Sequence, residues 1–286
     1  MKVALVTSER FAGLTEDDAL LPRSFAEHGI DASPQVWTDV AVEWSRFDCA
    51  LVRSTWDYHL QPQRFSHWIN CVSSQTRLVN APELLHWNVH KSYLLELGRA
   101  GVPVVPTVVV PHQHPRAFDE VRELLGGEEF VIKPAVSASA YRTTILAHGH
   151  TAPADAQAHL DDLVRDRDAL VQPFLREVYD PGERSLIFFR GGFSHAMWRP
   201  PFSRGAAAGE RREHRIEPSD EERACAGAAL EQLPSTPVYA RVDLIPLRSG
   251  ELAVAELELI EPALYFSACP SSTGALVDAI AAAAVR

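Results

Sequence analysis

The chain has 286 residues, 46% of them hydrophobic, enough apolar material for one large domain or two to three small ones. Its formal net charge of −11 excludes a nucleic-acid partner gripped through phosphates, which needs a concentrated basic face. Cys49, Cys71, Cys225 and Cys269 show no CxxC spacing, so no zinc site or redox motif is expected, and the pattern fits a reducing cytoplasm. The opening MKVALVTSER is too short an apolar run for a signal peptide or a membrane span, so no membrane partner is expected.

Residues 2–6 form a short apolar run and read as the first buried strand. Thr15, followed by Glu16, Asp17 and Asp18, has the character of a helix N-cap with an acidic first turn, and that helix is expected to stop at His28-Gly29. Residues 35–37 and 49–53 read as the second and third strands, the third running into the polar cluster RSTWDY (53–58). Pro62 suits a first helical turn, and Phe65, Trp68, Ile69 and Val72 repeat at helical spacing behind it. Residues 77–79 are a fourth strand closed by Asn80-Ala81-Pro82. Strands alternating with helices imply a parallel sheet covered on both faces, with ligands at the carboxyl ends of its strands.

Residues 88–100 read as one helix stopped by Gly101, after which Pro103 and Pro106 force an extended connection. Residues 108–110, 130–132, 143–146 and 170–171 are short strand candidates, with helical stretches over 117–125 and 154–165 between them, together a small α+β lid. From Gln172 the pattern is antiparallel. One hairpin turns at Arg190-Gly191-Gly192 and a second near Arg248-Ser249-Gly250, with a loop of small residues at 205–209 between them. The expected fold class is therefore mixed α/β and α+β. An N-terminal parallel α/β domain spans 1–82, a linker helix and lid 83–171, and a C-terminal antiparallel catalytic sheet 172–286.

Lys133 ends the buried strand EFVIKP (129–134), where desolvation disfavours an ammonium unless an anion pairs with it. Lys91, at the start of the expected 88–100 helix, reads on its own as a surface lysine. The small residues 135–140, Ser137 among them, let backbone N–H groups approach a phosphate, though without glycine they also read as a plain loop. Glu256 and Glu258 are two apart on a strand and face one side, with Asp243 in cross-strand reach. Three hard oxygen ligands suit magnesium; the alternative is a solvated acidic face. Arg241 shares the face of Asp243, and Arg199 and Arg204 flank the small-residue loop, placed to clamp an anion, though each reads equally as an ordinary surface arginine. His86 and His90 lack a third metal ligand, and neither a Walker phosphate loop nor a GxSxG elbow is present.

Taken in order, these pieces resemble the ATP-grasp ligases, most closely the glutathione synthetase-like branch, over nearly the whole chain. The resemblance implies ATP and Mg2+ as cofactors, with Lys91 and Lys133 on the nucleotide phosphates. It places Gln172, Phe174 and Leu175 of VQPFL at the hinge beside adenine, offering mostly backbone hydrogen bonds. Glu183 then meets the ribose, with Glu177 as its substitute. It makes Asp243, Glu256 and Glu258 the metal ligands, the last where the family commonly has Asn. Arg241 and Arg199 neutralise charge while a carboxylate is phosphorylated and then attacked by a nitrogen nucleophile. The segments VRSTWDYHL (52–60) and TSERFAGLTEDD (7–18) resemble a subgroup that includes a cyclising ligase of D-cycloserine biosynthesis, which acts on O-ureido-D-serine. On that resemblance Arg53, Ser54, Thr55 and Asp57 help hold a small-molecule amino-acid substrate, with Arg199 or Arg241 on its carboxylate. Intermolecular ligation to an amine or peptide shares the same nucleotide residues, and a nucleotide-binding module without catalysis remains a third reading. Relatives of this kind are often dimers or tetramers, so the resemblance also implies a homo-oligomer.

Overall fold

Residues 3–6 are fully buried although four in a row are apolar, and only a central strand covered on both faces allows that. In the computed structural model, which describes residues 1–146, 153–200 and 213–284, they lie in β1 (Lys2–Thr7). β1 is flanked by β2 (Asp31–Val36) and β3 (Cys49–Ser54), and β4 (Arg77–Val79) lies beyond β3, all parallel in the order β2-β1-β3-β4. Pro34 is tolerated because β2 is an edge. Helix α1 (Leu21–Glu27) packs on one face, and α2 (Pro62–Ser73) covers the other with Phe65, Trp68, Ile69 and Val72, the four residues of its apolar repeat. Thr15 does accept the Asp18 N–H through Oγ1, at 3.1 Å, but it opens only a single 3₁₀ turn at Asp18–Leu20; the α-helix proper begins at Leu21.

The expected 88–100 helix is two helices, α3 (Pro82–Val89) and α4 (Tyr93–Arg99). The break has a local cause. His90 is extended, and the Lys91 N–H donates to the Ala135 carbonyl at 2.9 Å instead of continuing a helical ladder. Lys91 therefore enters just ahead of α4, on a turn anchored to the lid.

The four lid strands form one antiparallel sheet in the order β5-β8-β6-β7: β5 (Val108–Val110), β6 (Phe130–Pro134), β7 (Thr144–Leu146) and β8 (Ala169–Pro173). Helices α5 (Phe118–Leu125) and α6 (Pro153–Val164) close it around Val121, Phe130, Ile132, Leu160 and Val171. The third sheet is antiparallel in the order β11-β10-β9-β12-β13. Its strands are β9 (Glu183–Phe189), β10 (Gly192–Arg199), β11 (His214–Ile216), β12 (Tyr239–Pro246) and β13 (Leu252–Glu258). The β9–β10 turn carries positive φ at Arg190 and Gly191, the geometry a two-residue hairpin requires.

Two helices lie outside the elements expected from the sequence. α7 (Asp220–Glu231) starts with a capping box: the Glu222 N–H donates to Ser219 Oγ, and the Ser219 N–H donates to Glu222 Oε2. α8 (Ser272–Ala284) returns to the N-terminal sheet, where Leu276, Val277 and Ile280 pack with Val3, Leu5 and Phe25. No helix among the described residues is long and apolar enough to cross a membrane.

The parallel and catalytic sheets are tied by buried polar side chains. Asn80 Nδ2 donates to the Tyr239 and Leu259 carbonyls (2.8 and 2.9 Å), and its Oδ1 accepts the Val238 and Tyr239 N–H groups. The Tyr239 hydroxyl lies 2.7 Å from the Ile260 carbonyl and 3.0 Å from that of Val52, two acceptors from the two sheets. Asn80→Ala deletes one side of every Asn80 contact and leaves buried backbone groups unpaired, so it should lower unfolding free energy by about 2–4 kcal/mol. Urea denaturation checks this; a loss below ~1 kcal/mol would mean the tie carries little of the interface.

Candidate active site

Register builds the site. Asp243 is opposite Glu256, and Arg241 opposite Glu258, while Asp243 faces Ser185 across β9. Alternation along the strands puts these polar side chains on one face and sends Val242 and Leu257 into the core. Ligand oxygens of Asp243, Glu256 and Glu258 lie within 4.8 Å of one another.

Three cations balance them. Arg241 donates from Nε and Nη2 to the two oxygens of Asp243, both at 2.9 Å, and from Nη2 to Glu258 Oε1 at 2.5 Å. Arg199 donates from Nη1 to Asp243 Oδ2 at 2.9 Å and lies 3.7 Å from Glu183. Lys91 Nζ donates to Glu256 Oε1. Ser185 Oγ donates to Asp243 Oδ1 at 2.6 Å. Asp243 thus accepts four bonds, near the capacity of a carboxylate. Glu256 and Glu258 each hold one cation and keep oxygens to spare. The donor set is all hard oxygen, which fits magnesium, with Glu256 and Glu258 the most available ligands and Asp243 the anchor of the arginines.

The acids respond differently to this company. Burial would raise Glu256, but Lys91 and Lys133 outweigh it and hold the group at about 2. Burial raises Glu258 to about 7, since Arg241 only partly offsets it and Glu256 and Asp243 reinforce it. Burial likewise raises Glu183, against the pull of Arg199. Burial alone would depress Lys91, yet Glu256 beside it drives the ammonium up. Lys133, reaching in from β6, behaves the opposite way. Burial depresses it, only partly countered by Glu256, and among the described residues no carboxylate lies within ion-pair distance. It is a cation in want of an anion. The loop behind it holds Ser137 buried and adopts left-handed backbone at Ser139, Ala140 and Arg142, three non-glycine residues.

The structure brings Lys91, Lys133, Glu183, Arg199, Arg241, Asp243, Glu256 and Glu258 together. Other expectations need correction. Arg53 is only 2% exposed, and its Nε donates to Asp18 Oδ1 at 2.9 Å while Nη2 donates to the Pro262 carbonyl. Ser54 Oγ donates to Asp18 Oδ2. Arg53 is engaged in a tie to the segment after β13 and Ser54 in bonds within the N-terminal domain, and neither is presented to a substrate. Asp57 accepts from Trp37 Nε1 at 2.8 Å, and Thr55 Oγ1 is buried without a partner among the described residues. At the hinge, Gln172 Nε2 donates to Thr107 Oγ1, and the Phe174 N–H is already given to the Glu129 carbonyl, so Phe174 has no free amide for adenine; Leu175 packs with Val105 and Ile245. Arg204 and the loop at 205–209 lie outside the described residues. Sequence reasoning missed Ser185, which the GERSL segment carried in plain view, and the buried pair Tyr58 and Glu261 at the edge of the site.

A parallel sheet, a lid delivering a lysine, and an antiparallel sheet bearing arginine-held acids make up the fold seen in ATP-grasp ligases. The fold is that of a D-alanine–D-alanine ligase from Bacillus anthracis complexed with ATP (TM-score 0.66, 16% identity, 100% of this chain and 98% of that one). It is also that of the ATP-grasp ligase PsnB complexed with minimal precursor, Mg and ADP (TM-score 0.64, 16% identity, 99% and 98%). Residues 3–80 match the model of the D-cycloserine synthetase DcsG N-terminal domain. The cycloserine biosynthesis protein DcsG of Streptomyces lavendulae is 32% identical over 278 residues, 92% of each chain. A crystal structure of D-cycloserine synthetase DcsG matches with a TM-score of 0.90 at 29% identity, over 99% of this chain and 100% of that one. The chain belongs to the family of the D-cycloserine synthetase DcsG.

Glu258 gives the site a pH signature. Its folded value of about 7 lies above the ordinary 4.5, so the fold favours the protonated form. The stability it contributes is full below the unfolded value and is lost as pH rises through the folded one. In metal-free buffer, wild-type stability should fall between about pH 5 and pH 8 by on the order of 1–3 kcal/mol more than that of Glu258→Gln. Parallel melting curves for the two proteins across that range would remove the assignment.

Proposed function

We propose that this protein is an ATP- and magnesium-dependent carbon–nitrogen ligase that closes D-cycloserine from O-ureido-D-serine, with ADP and phosphate as products. The observation that carries the nucleotide part is the convergence on Glu256 of Lys91, from the turn before α4, and Lys133, from the lid strand β6. One of these lysines is paired and the other is not, as a site awaiting polyphosphate requires. The substrate part rests on the near full-length relation to DcsG.

In this reading Lys133, Lys91 and the Ser137 loop bind the phosphates, Glu183 binds the ribose with Glu177 as the alternative, and the segment from Gln172 to Leu175 borders the base. Glu256 and Glu258, with Asp243, hold magnesium, which supplies neutralisation of phosphate charge during transfer. Asp243 fixes Arg199 and Arg241 so that their guanidinium groups face the substrate carboxylate and the arriving phosphoryl group. The carboxylate becomes an acylphosphate, and the oxygen-linked nitrogen of the same molecule attacks the acyl carbon and displaces phosphate. The carbamoyl group left on that nitrogen must be hydrolysed to carbon dioxide and ammonia for D-cycloserine to appear. The lid keeps water from the acylphosphate before ring closure.

Purified protein with ATP, magnesium and O-ureido-D-serine should release ADP in step with a product of the D-cycloserine mass. ADP release coupled to a larger condensed product would assign intermolecular ligation instead, and no ADP with any amino acid would leave a binding module. Asp243→Asn and Glu256→Gln should each lower turnover by ~10²-fold or more, because one loosens the arginines and the other strips a metal oxygen. Near-normal turnover in either would break the site assignment. Lys133→Ala should weaken ATP binding about 30-fold, the equivalent of one charge-assisted contact; unchanged affinity by calorimetry would make Lys133 structural.

A further inference from the structure

We propose that Glu261 is the residue that receives the α-ammonium group of the amino-acid substrate. The proposal rests on the ligase reading above, which puts the substrate carboxylate at Arg199 and Arg241.

Glu261 lies three residues beyond Glu258, where the chain leaves β13 and crosses the carboxyl end of β3. Its backbone is firmly held: Trp56 Nε1 donates to the Glu261 carbonyl at 3.0 Å, and Arg53 Nη2 donates to the carbonyl of Pro262 at 2.9 Å. Its side chain is not. Glu261 is only 9% exposed, yet among the described residues no hydrogen bond or ion pair reaches its carboxyl oxygens. A carboxyl so largely removed from water and given no donor is unfavourable as an anion. Two side chains of the 53–58 segment fix the backbone around this carboxyl, and none satisfies it.

The carboxyl is also within electrostatic reach of the site residues. Its electrostatic neighbours are Glu258, Lys91, Glu256 and Arg241. Tyr58, from the N-terminal domain, is 4% exposed, and Glu261 acts on its hydroxyl more strongly than Glu258 or Glu256 does. Burial, reinforced by Glu258 and only partly opposed by Lys91, holds Glu261 well above the usual carboxylate range, so a cation arriving beside it is what makes the ionised form favourable.

Charge matching identifies the guest. An amino acid brings a carboxylate and an ammonium on one carbon. Arg199 and Arg241 serve the anionic half. Of the acids near them, Asp243 and Glu258 hold Arg241, Glu256 holds Lys91, and Glu183 lies with Arg199. Glu261 is the acid of this cluster without a cation among the described residues, and the carbonyls of Glu261 and Pro262 are pinned by Trp56 and Arg53.

The test uses the full-length enzyme with ATP and magnesium, and compares O-ureido-D-serine with its des-amino counterpart, 3-(ureidooxy)propanoate. Wild type should favour the amine-bearing molecule in kcat/KM by on the order of 10²-fold or more, as expected of a site built around a buried polar partner. Glu261→Gln should lose at least ~10-fold of that preference through the KM of the amino acid, leaving the KM of ATP and the half-saturating magnesium within about twofold. Glu261→Asp should keep part of the preference, and it carries the test if the glutamine variant does not fold. Undiminished preference in the folded variants overturns the proposal. So does a raised magnesium requirement with preference intact, which would make Glu261 a further metal ligand. Should wild type release no ADP with O-ureido-D-serine, the ring-closing reading falls, and the same comparison passes to whichever amino acid drives ADP release and its des-amino analogue. If none does, both readings fall.

Discussion

The stretch that runs out of β13 is held by the N-terminal half at almost every residue, and the site depends on that grip. Asn88 donates to the Leu257 carbonyl and accepts from the Leu259 N–H. The Tyr93 hydroxyl accepts from the Leu257 N–H. Asn80 donates to the Leu259 carbonyl, Trp56 to that of Glu261 and Arg53 to that of Pro262. All of these side chains come from residues 53–93, so the acids of β13 are positioned by a part of the chain more than 160 residues away. Buried backbone groups have to be paired, and here amide, indole and guanidinium groups from another domain do the pairing. Because each such bond is directional, the grip fixes the register of the segment, and with it the height of Glu256, Glu258 and Glu261 against Lys91.

Arg53 shows how tightly the two halves are built into each other. Its guanidinium lies between the Tyr239 and Phe266 rings, 5.7 and 5.8 Å from their centroids, while Asp18 neutralises it. A buried charge pair contributes little net stability, but it penalises misplacement heavily because either charge left alone in the interior is strongly destabilising. The N-terminal domain and the catalytic sheet share one core through Ile187, Met197 and Tyr239 on one side and Val3, Leu5 and Leu51 on the other. The lid has its own core and is joined to the rest through short links such as Lys91 N–H to Ala135. Its separate core suits the part expected to move over a bound nucleotide.

Much of this was legible because it is local. The strands of the parallel sheet, the lid strands and both hairpins follow from apolar runs and turn residues, and the Asp243–Glu256 and Arg241–Glu258 pairs follow from period-two alternation along one hairpin. The features that escaped are non-local, or carry a signal that periodicity does not report. Arg53 and Ser54 carry polar groups at a strand end, which sequence cannot distinguish from a ligand site; only the return of residues 262–266 from the far end of the chain shows Arg53 to be a tie. The break at His90 depends on the Ala135 carbonyl, which no helical pattern foretells. The α7 helix is a different kind of miss, since Ser219 and Glu222 spell a capping box that periodicity alone does not bring out. Glu261 escapes notice because a glutamate before a proline looks like a loop residue until its burial is known.

The charge count gives the site its logic. With Glu183, Asp243, Glu256, Glu258 and Glu261 all ionised there are five acids against Lys91, Lys133, Arg199 and Arg241, so the site is slightly acidic although it is to receive a polyphosphate. Burial pushes Glu258 and Glu261 up, toward the protonated form, which eases the repulsion. A divalent cation changes the sign of the balance, and a substrate ammonium removes the remaining strain at Glu261. Where the family resemblance leads one to expect a neutral amide, Glu258 puts an ionisable group, which adds negative charge beside Glu256 and Asp243 and is why burial and its neighbours push it up.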